Sequence, residues 1–245
     1  MNKRIIGVLV VVVSLGVVQL VSLPQRITAD AQEAKLTGKQ KAHSKLYKEY
    51  RGGRKIRDVA ATATSDTGIR IGTPLRGGDP HSPPPNRQQL LASLSCDADS
   101  VVIGTVKSNS SQLTEDEDFI FTDSELTVSE ILKNNPAAPI QPHSDITITR
   151  PGGKVHINGR QIEALDVSFM PLKRGERYLL FIKFVPSTGA YKAINSVSSF
   201  QLRGDKIEKL TREALPNNIH GSDVKIFVNE VSASVVNPCG ERGAK

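Results

Sequence analysis

Tryptophan is absent from the 245 residues, aromatics amount to 4%, and only two cysteines occur. Scarce aromatics speak against a nucleic-acid surface, which combines a basic face with stacking rings. Two cysteines cannot build a disulfide-dense scaffold, and Cys96 and Cys239 form neither a Cys-x-x-Cys pair nor a zinc-knuckle spacing. Gly-x-Ser-x-Gly, Gly-x-Gly-x-x-Gly, the P-loop and His-Glu-x-x-His are all missing. The chain therefore gives no support for a nucleophile elbow, a nucleotide fold or a zincin. No catalytic residue, cofactor or metal is expected.

What is present begins with the first 31 residues. Met1-Asn2-Lys3-Arg4 is basic, Ile5 to Leu23 carries no charge, Pro24 breaks the run, and Ala29-Asp30-Ala31 matches the small-x-small cleavage pattern. Together these read as an export signal cut between Ala31 and Gln32. Left uncut, residues 5–23 would anchor the chain, since about 20 apolar residues span a bilayer. Either way the remainder is expected outside the cytoplasm, secreted or anchored. There an even cysteine count favours a Cys96–Cys239 disulfide over two free thiols.

The formal charge of +7 suggests an anionic partner, but its distribution does not. Residues 1–31 carry +2, residues 32–60 carry +6, and residues 61–245 sum to −1. The basicity belongs to a short arm, so nucleic acid is excluded as a partner. Membrane contact is expected only through an uncleaved N-terminal segment or that arm.

Composition divides the chain into five parts. Residues 1–31 are the signal peptide or anchor, and 32–59 the basic arm, read as a solvated tether or a marginal helix. Residues 60–89 form a Pro/Gly/Ser linker with polyproline character at Pro83 to Pro85. Residues 90–210 form a β domain, and 211–245 a C-terminal helix and tail. Within the domain, Asp99 to Lys107 is β-branched, with Gly104 marking a bulge or close backbone approach. Phe119 to Leu132 and Asp145 to Arg150 alternate apolar and polar residues, the period of half-buried strands. Val155 to Ile157 and Arg160 to Ala164 read as a hairpin on Asn158-Gly159. The run Tyr178-Leu179-Leu180-Phe181-Ile182 is apolar without alternation, which requires burial on both faces. Tyr191 to Asn195 and Phe200 to Arg203 end the series. Ser222-Asp223 can cap a helix that places Val224, Phe227, Val228, Val231 and Val235 on one side. The expected fold is all-β: a small barrel with one packed C-terminal helix, preceded by a signal peptide and a disordered stalk.

The order Asp99-Ser100-Val101-Val102-Ile103-Gly104-Thr105-Val106, then Val128-Ser129-Glu130-Ile131-Leu132-Lys133, then Ile146-Thr147-Ile148 with Pro151-Gly152-Gly153, then Arg174-Gly175-Glu176-Arg177-Tyr178-Leu179-Leu180-Phe181 carries a resemblance. It resembles exported bacterial domains that look like the OB-fold of the tissue inhibitors of metalloproteinases and netrin-like modules, over residues 92–203. The resemblance implies an OB-like barrel. It also implies an inhibitory route in which a free amino-terminal cysteine chelates the protease zinc. The matching residue is Cys96, which lies inside the chain, so that route requires processing to begin there. The disulfide framework of the animal inhibitors is missing.

The five histidines, His43, His81, His143, His156 and His220, are scattered and read as solvated loop residues. A zinc site from His143, His156 and Cys96 would need assembly in three dimensions. Glu115 to Asp118 lacks the alternating ligands and glycine of a calcium loop and reads as a charged hairpin tip. Asn109-Ser110-Ser111 matches the glycosylation sequon. The leading expectation is a non-enzymatic interaction module whose partner is a protein or cell-envelope ligand. Lys107 to Asp118 and Gln141 to Gly159 are the nominated binding loops. The alternatives are an inhibitor acting through Cys96 and an exported hydrolase with a site dispersed along the sequence.

Overall fold

Strand β2 (Ser100–Leu113) shows how the chain divides its apolar residues between two cores. Val101 and Ile103 point to one cluster with Leu179, Phe181, Phe200, Leu202 and Ile207. Val102 and Val106 point to another with Leu126, Val128, Ile146, Ile148, Tyr178, Leu180 and Ile182. Successive side chains of a strand face opposite sides, so a strand serving two cores must be apolar at nearly every position. That accounts for β7 (Arg177–Val185), whose residues 178–182 are all buried.

The coordinates are a computed structural model that describes residues 36–50, 54–62, 69–72, 86–166, 168–211, 215–216, 219–237 and 239. All of these belong to the unit Ala31–Lys245. The signal segment and most of the 60–89 linker lie outside the described residues.

Strand β2 pairs antiparallel with β3 (Ile120–Lys133), and β3 pairs antiparallel with β4 (Asp145–Pro151). Strand β8 (Ala190–Ala193) lies parallel to β4 and antiparallel to β7, which returns to β2. These five strands therefore pair in a closed cycle, β2–β3–β4–β8–β7. Strands β9 (Ser199–Arg203) and β10 (Lys206–Lys209) continue the sheet from β7. A second sheet joins β5 (Gly153–Ile157) and β6 (Arg160–Leu165) to a short strand β1 (Ile69–Gly72) inside the expected linker. The β5–β6 turn uses Asn158 and Gly159 at φ of 51° and 75°, the left-handed pair that a two-residue hairpin needs.

Gly104 is a close approach as well as a bulge. The register of β2 against β3 shifts between Ile103 and Gly104, and a Cβ at Gly104 would meet the Thr127 carbonyl oxygen at 2.6 Å.

Helix α3 (Arg87–Asp97) starts on a capping box in which Asn86 and Gln89 bond each other's backbone N–H. The helix α4 (Val224–Val236) starts at Asp223, whose carboxylate accepts from the Ile226 N–H at 3.1 Å. Both helices pack on the first core through Leu90, Leu91, Leu94, Phe227 and Val231.

The basic arm departs from the expected tether. Helix α1 (Gly38–Ser44), the 3-10 segment Lys45–Tyr50 and helix α2 (Ile56–Thr62) pack against the β structure. His43, Ser44, Tyr47 and Ile56 are buried there, Tyr47 stacking on Phe121 at 5.3 Å and Ile56 joining Val155 and Ile162. The lysines and arginines set the composition of this segment, but these few large residues set its place.

Candidate functional site

Strand β4 reads Asp-Ile-Thr-Ile-Thr-Arg, and its alternation decides the fate of the last residue. Ile146 and Ile148 face the second of the two cores, the one that holds Val102 and Val106, so the period of two carries Arg150 to the same side. Arg150 is 3% exposed. Its Nε, Nη1 and Nη2 have no hydrogen-bond partner, and among the described residues no carboxylate lies within ion-pair distance of it. The contact that remains is a ring: the guanidinium carbon lies 5.4 Å from the centroid of Phe169. A cation over an aromatic face is attracted by its quadrupole, but a ring does not replace hydrogen bonds to five N–H groups.

The electrostatics follow from that seclusion. Burial pushes the Arg150 pKa down to about 10, while the phenols of Tyr178 and Tyr47 and the Asp166 carboxylate pull the other way. Asp166 is itself turned to its own loop, where its Oδ1 accepts from the Ser168 N–H at 2.8 Å. The Tyr178 hydroxyl accepts from the Lys173 N–H at 2.8 Å, and burial pushes its pKa up. An unpaired buried charge destabilises a fold by several kcal/mol, about 3–5 when a partner has been removed from an existing pair. Burying Arg150 without a partner therefore works against the stability of the fold.

A second polar group lies where α1 meets β3. His43 is wholly buried, and its Nδ1–H donates to Asp123 Oδ2 at 2.9 Å. Gln112 Nε2 donates to the same carboxylate oxygen at 2.9 Å, and Gln40 Nε2 donates to Gln112 Oε1 at 2.6 Å. One turn on, the Tyr47 and Thr149 hydroxyls lie 2.8 Å apart. A carboxylate holding an imidazole is the orienting half of a base arrangement. Here the outward atom, His43 Nε2, is buried without a partner, so the pair binds α1 to the sheet. His43 thus departs from the expected solvated histidine; His143, His156 and His220 are exposed, and His81 lies outside the described residues.

Cys96 and Cys239 are joined in a disulfide with their Cα atoms 4.8 Å apart. The bond fastens α3 to the residues beyond α4, where Ser95 Oγ and Ser234 Oγ also lie 2.6 Å apart. Cys96 is thereby removed from any zinc site with His143 and His156, and among the described residues no three metal-ligating side chains gather. It lies within α3, so a chain beginning at Cys96 would require cutting that helix after the buried Ser95. Ala31 and Gln32 lie outside the described residues.

The nominated loops are more engaged than a free binding surface. Glu117 Oε1 receives the Arg57 Nε–H at 2.7 Å, and the Glu115 N–H donates to Ser44 Oγ at 2.7 Å. The acidic tip is a docking point for the arm. Lys107 Nζ donates to Asp145 Oδ2 at 2.7 Å, joining the two nominated stretches on the surface.

The sequence period places Arg150 on a strand but does not mark it as a site. The available signal is an arginine at an inward position of an alternating strand. No helix among the described residues is long and apolar enough to cross a membrane. No protein-family model matches the chain, and comparison with curated proteins finds no match.

Proposed function

We propose that this chain is an exported, non-enzymatic binding module, an OB-like β-barrel whose flanking helices are tied by the Cys96–Cys239 bridge and which is delivered by the signal segment 1–31. Its partner is a protein or cell-envelope ligand, and Arg150 is the group that recognises it. The scaffold reading is supported by the cyclic pairing β2–β3–β4–β8–β7 with its one parallel contact, as expected of a five-stranded Greek-key barrel. Export is supported by the disulfide, since such bonds persist in oxidising compartments. A scaffold does not name a function, so the reading rests on one observation. The Arg150 guanidinium is buried, charged and without a hydrogen-bond partner. A group that burdens the fold without serving it is retained for something outside the fold.

The test is the intact mass and amino-terminal sequence of the protein recovered from its native host, before and after reduction. The proposal expects an extracytoplasmic chain beginning at Gln32, or an anchored chain retaining Met1, that gains two hydrogens on reduction. A cytoplasmic chain with free thiols contradicts it, and a chain beginning at Cys96 would favour the inhibitor.

A further inference from the structure

We infer that the buried guanidinium of Arg150 is an oxyanion site covered by Phe169, taking the carboxylate or phosphate group of the ligand. This rests on the reading of the chain as a binding module and names the chemistry that its site accepts.

Three observations carry it. First, the guanidinium presents Nε, Nη1 and Nη2 without partners. A planar fork of N–H donors matches an oxyanion, which can take two parallel charge-assisted hydrogen bonds. Second, the surroundings are poor in competing acceptors. The second core, which Ile148 of the same strand joins, is apolar, and of the groups near the guanidinium the Tyr178 hydroxyl is engaged by the Lys173 N–H and the Tyr47 hydroxyl by Thr149. In so dry a place a bound anion is not screened, and pairing it with Arg150 removes the penalty of the lone charge. Third, a ring lies against the guanidinium. Phe169 lies over the guanidinium while remaining only partly buried. Its loop is tied by the Phe169 N–H to the Asp166 carbonyl at 3.0 Å and by the Met170 N–H to the Leu210 carbonyl at 3.1 Å. Both bonds are made by backbone groups, so a change of the Phe169 rotamer moves the ring off the guanidinium without breaking either.

Closed, the site hides its charge under a ring; open, it offers a preorganised cation. Affinity is then reduced by the fraction of time the cover is open, and removing the ring removes that reduction. Asp166 is the internal competitor. It is buried close enough to act on Arg150 electrostatically, yet its Oδ1 is held by the Ser168 N–H.

The experiment titrates the purified full chain with inorganic phosphate and, separately, acetate, against sodium chloride at matched ionic strength, following the thermal midpoint and calorimetric heat. A saturable rise with phosphate alone assigns a phosphoryl group, with acetate alone a carboxylate, and with both an oxyanion site without preference between them. Arg150→Met is expected to abolish the response. Phe169→Ala is expected to tighten it by about tenfold, the reduction imposed by a site open about a tenth of the time. Responses no larger than chloride in both the wild type and Phe169→Ala overturn the site. An equal response in Arg150→Met also overturns it, and unchanged affinity in Phe169→Ala overturns the cover. Should Arg150→Met fail to fold, Phe169→Ala against wild type still decides. A protein recovered oxidised and exported that ignores both anions loses this inference while the module reading stands. A reduced cytoplasmic protein loses the module reading whatever the anions do.

Discussion

His43 and Asp123 are 80 residues apart in sequence, and their side chains meet at 2.9 Å, Nδ1–H to Oδ2. The contact turns a basic segment that composition marks as a tether into a part of the fold. Replacing His43 by Ala takes one of two side-chain donors from the partly buried Asp123 carboxylate, leaving Gln112, and opens a gap under α1, a loss of about 1–3 kcal/mol. Urea unfolding should show a lowered midpoint for His43→Ala, and Tyr47→Ala should lose about 3 kcal/mol from its packing on Phe121. A free tether would leave both midpoints where they are.

The disulfide closes a separation of 143 residues. Cross-linking so long a loop restrains the unfolded chain by about 5 kcal/mol in the chain-entropy account. The double variant Cys96→Ser, Cys239→Ser is expected to unfold at clearly lower denaturant concentration than the oxidised protein. Wild type under reducing conditions should behave as the double variant does. Coincident curves for oxidised and reduced wild type would refute the assignment.

Gly104 has no room for a side chain. A Cβ there would lie 2.6 Å from the Thr127 carbonyl oxygen and 2.8 Å from Leu126 side-chain atoms. Gly104→Ala should lose about 3 kcal/mol, because the paired backbones of β2 and β3 must separate to admit the methyl. Hydrogen exchange should quicken most at the β2–β3 pairing and least at β9–β10.

Lys133 Nζ donates to the carbonyls of Ser95 and Ala98 at 2.7 and 2.6 Å. A cation at the C-terminal end of α3 satisfies orphan carbonyls and complements the helix dipole. Burial lowers the Lys133 pKa, with Asp99 and Asp97 acting against it. Lys133→Met should cost about 1–2 kcal/mol, read from thermal unfolding at neutral pH. An unchanged midpoint would remove Lys133 as a cap.

The Lys107–Asp145 pair fixes a pH dependence on the surface. Hydrogen bonds from Lys107 and Thr127 hold the Asp145 carboxyl below its ordinary range. Its contribution to stability is present above the ordinary carboxylate value and is lost as pH falls through the lowered folded value. Lys107→Gln should move the Asp145 titration upward, as followed by carboxyl NMR. A titration that stays put would show that the pair is not formed in solution.

Legibility in the sequence follows from which residues carry a period. Asp145 to Arg150 alternates cleanly, and the strand lies where the alternation puts it. The unbroken run in β7 signals two buried faces, and the valine spacing together with Asp223 marks α4. By contrast, Ser108 to Gln112 extend β2 through Ser, Asn and Gln, which have little strand preference of their own and are held by pairing with β3. The arm reads as a tether because nine lysines and arginines outweigh His43, Tyr47 and Ile56 in any composition. The partners of those three are sheet residues far along the chain. Arg150 stays hidden for a related reason: its position is readable, but the lack of any partner for it is a fact of three dimensions.

The measurement that bears most directly on Arg150 as a recognition group is the stability of Arg150→Met in a buffer free of phosphate and carboxylates. A buried charge kept for a ligand burdens the empty protein, so an apolar side chain of similar length should raise stability by about 1–4 kcal/mol. A fall of that size would show that Arg150 holds the fold together, and would contradict its role in recognising a ligand.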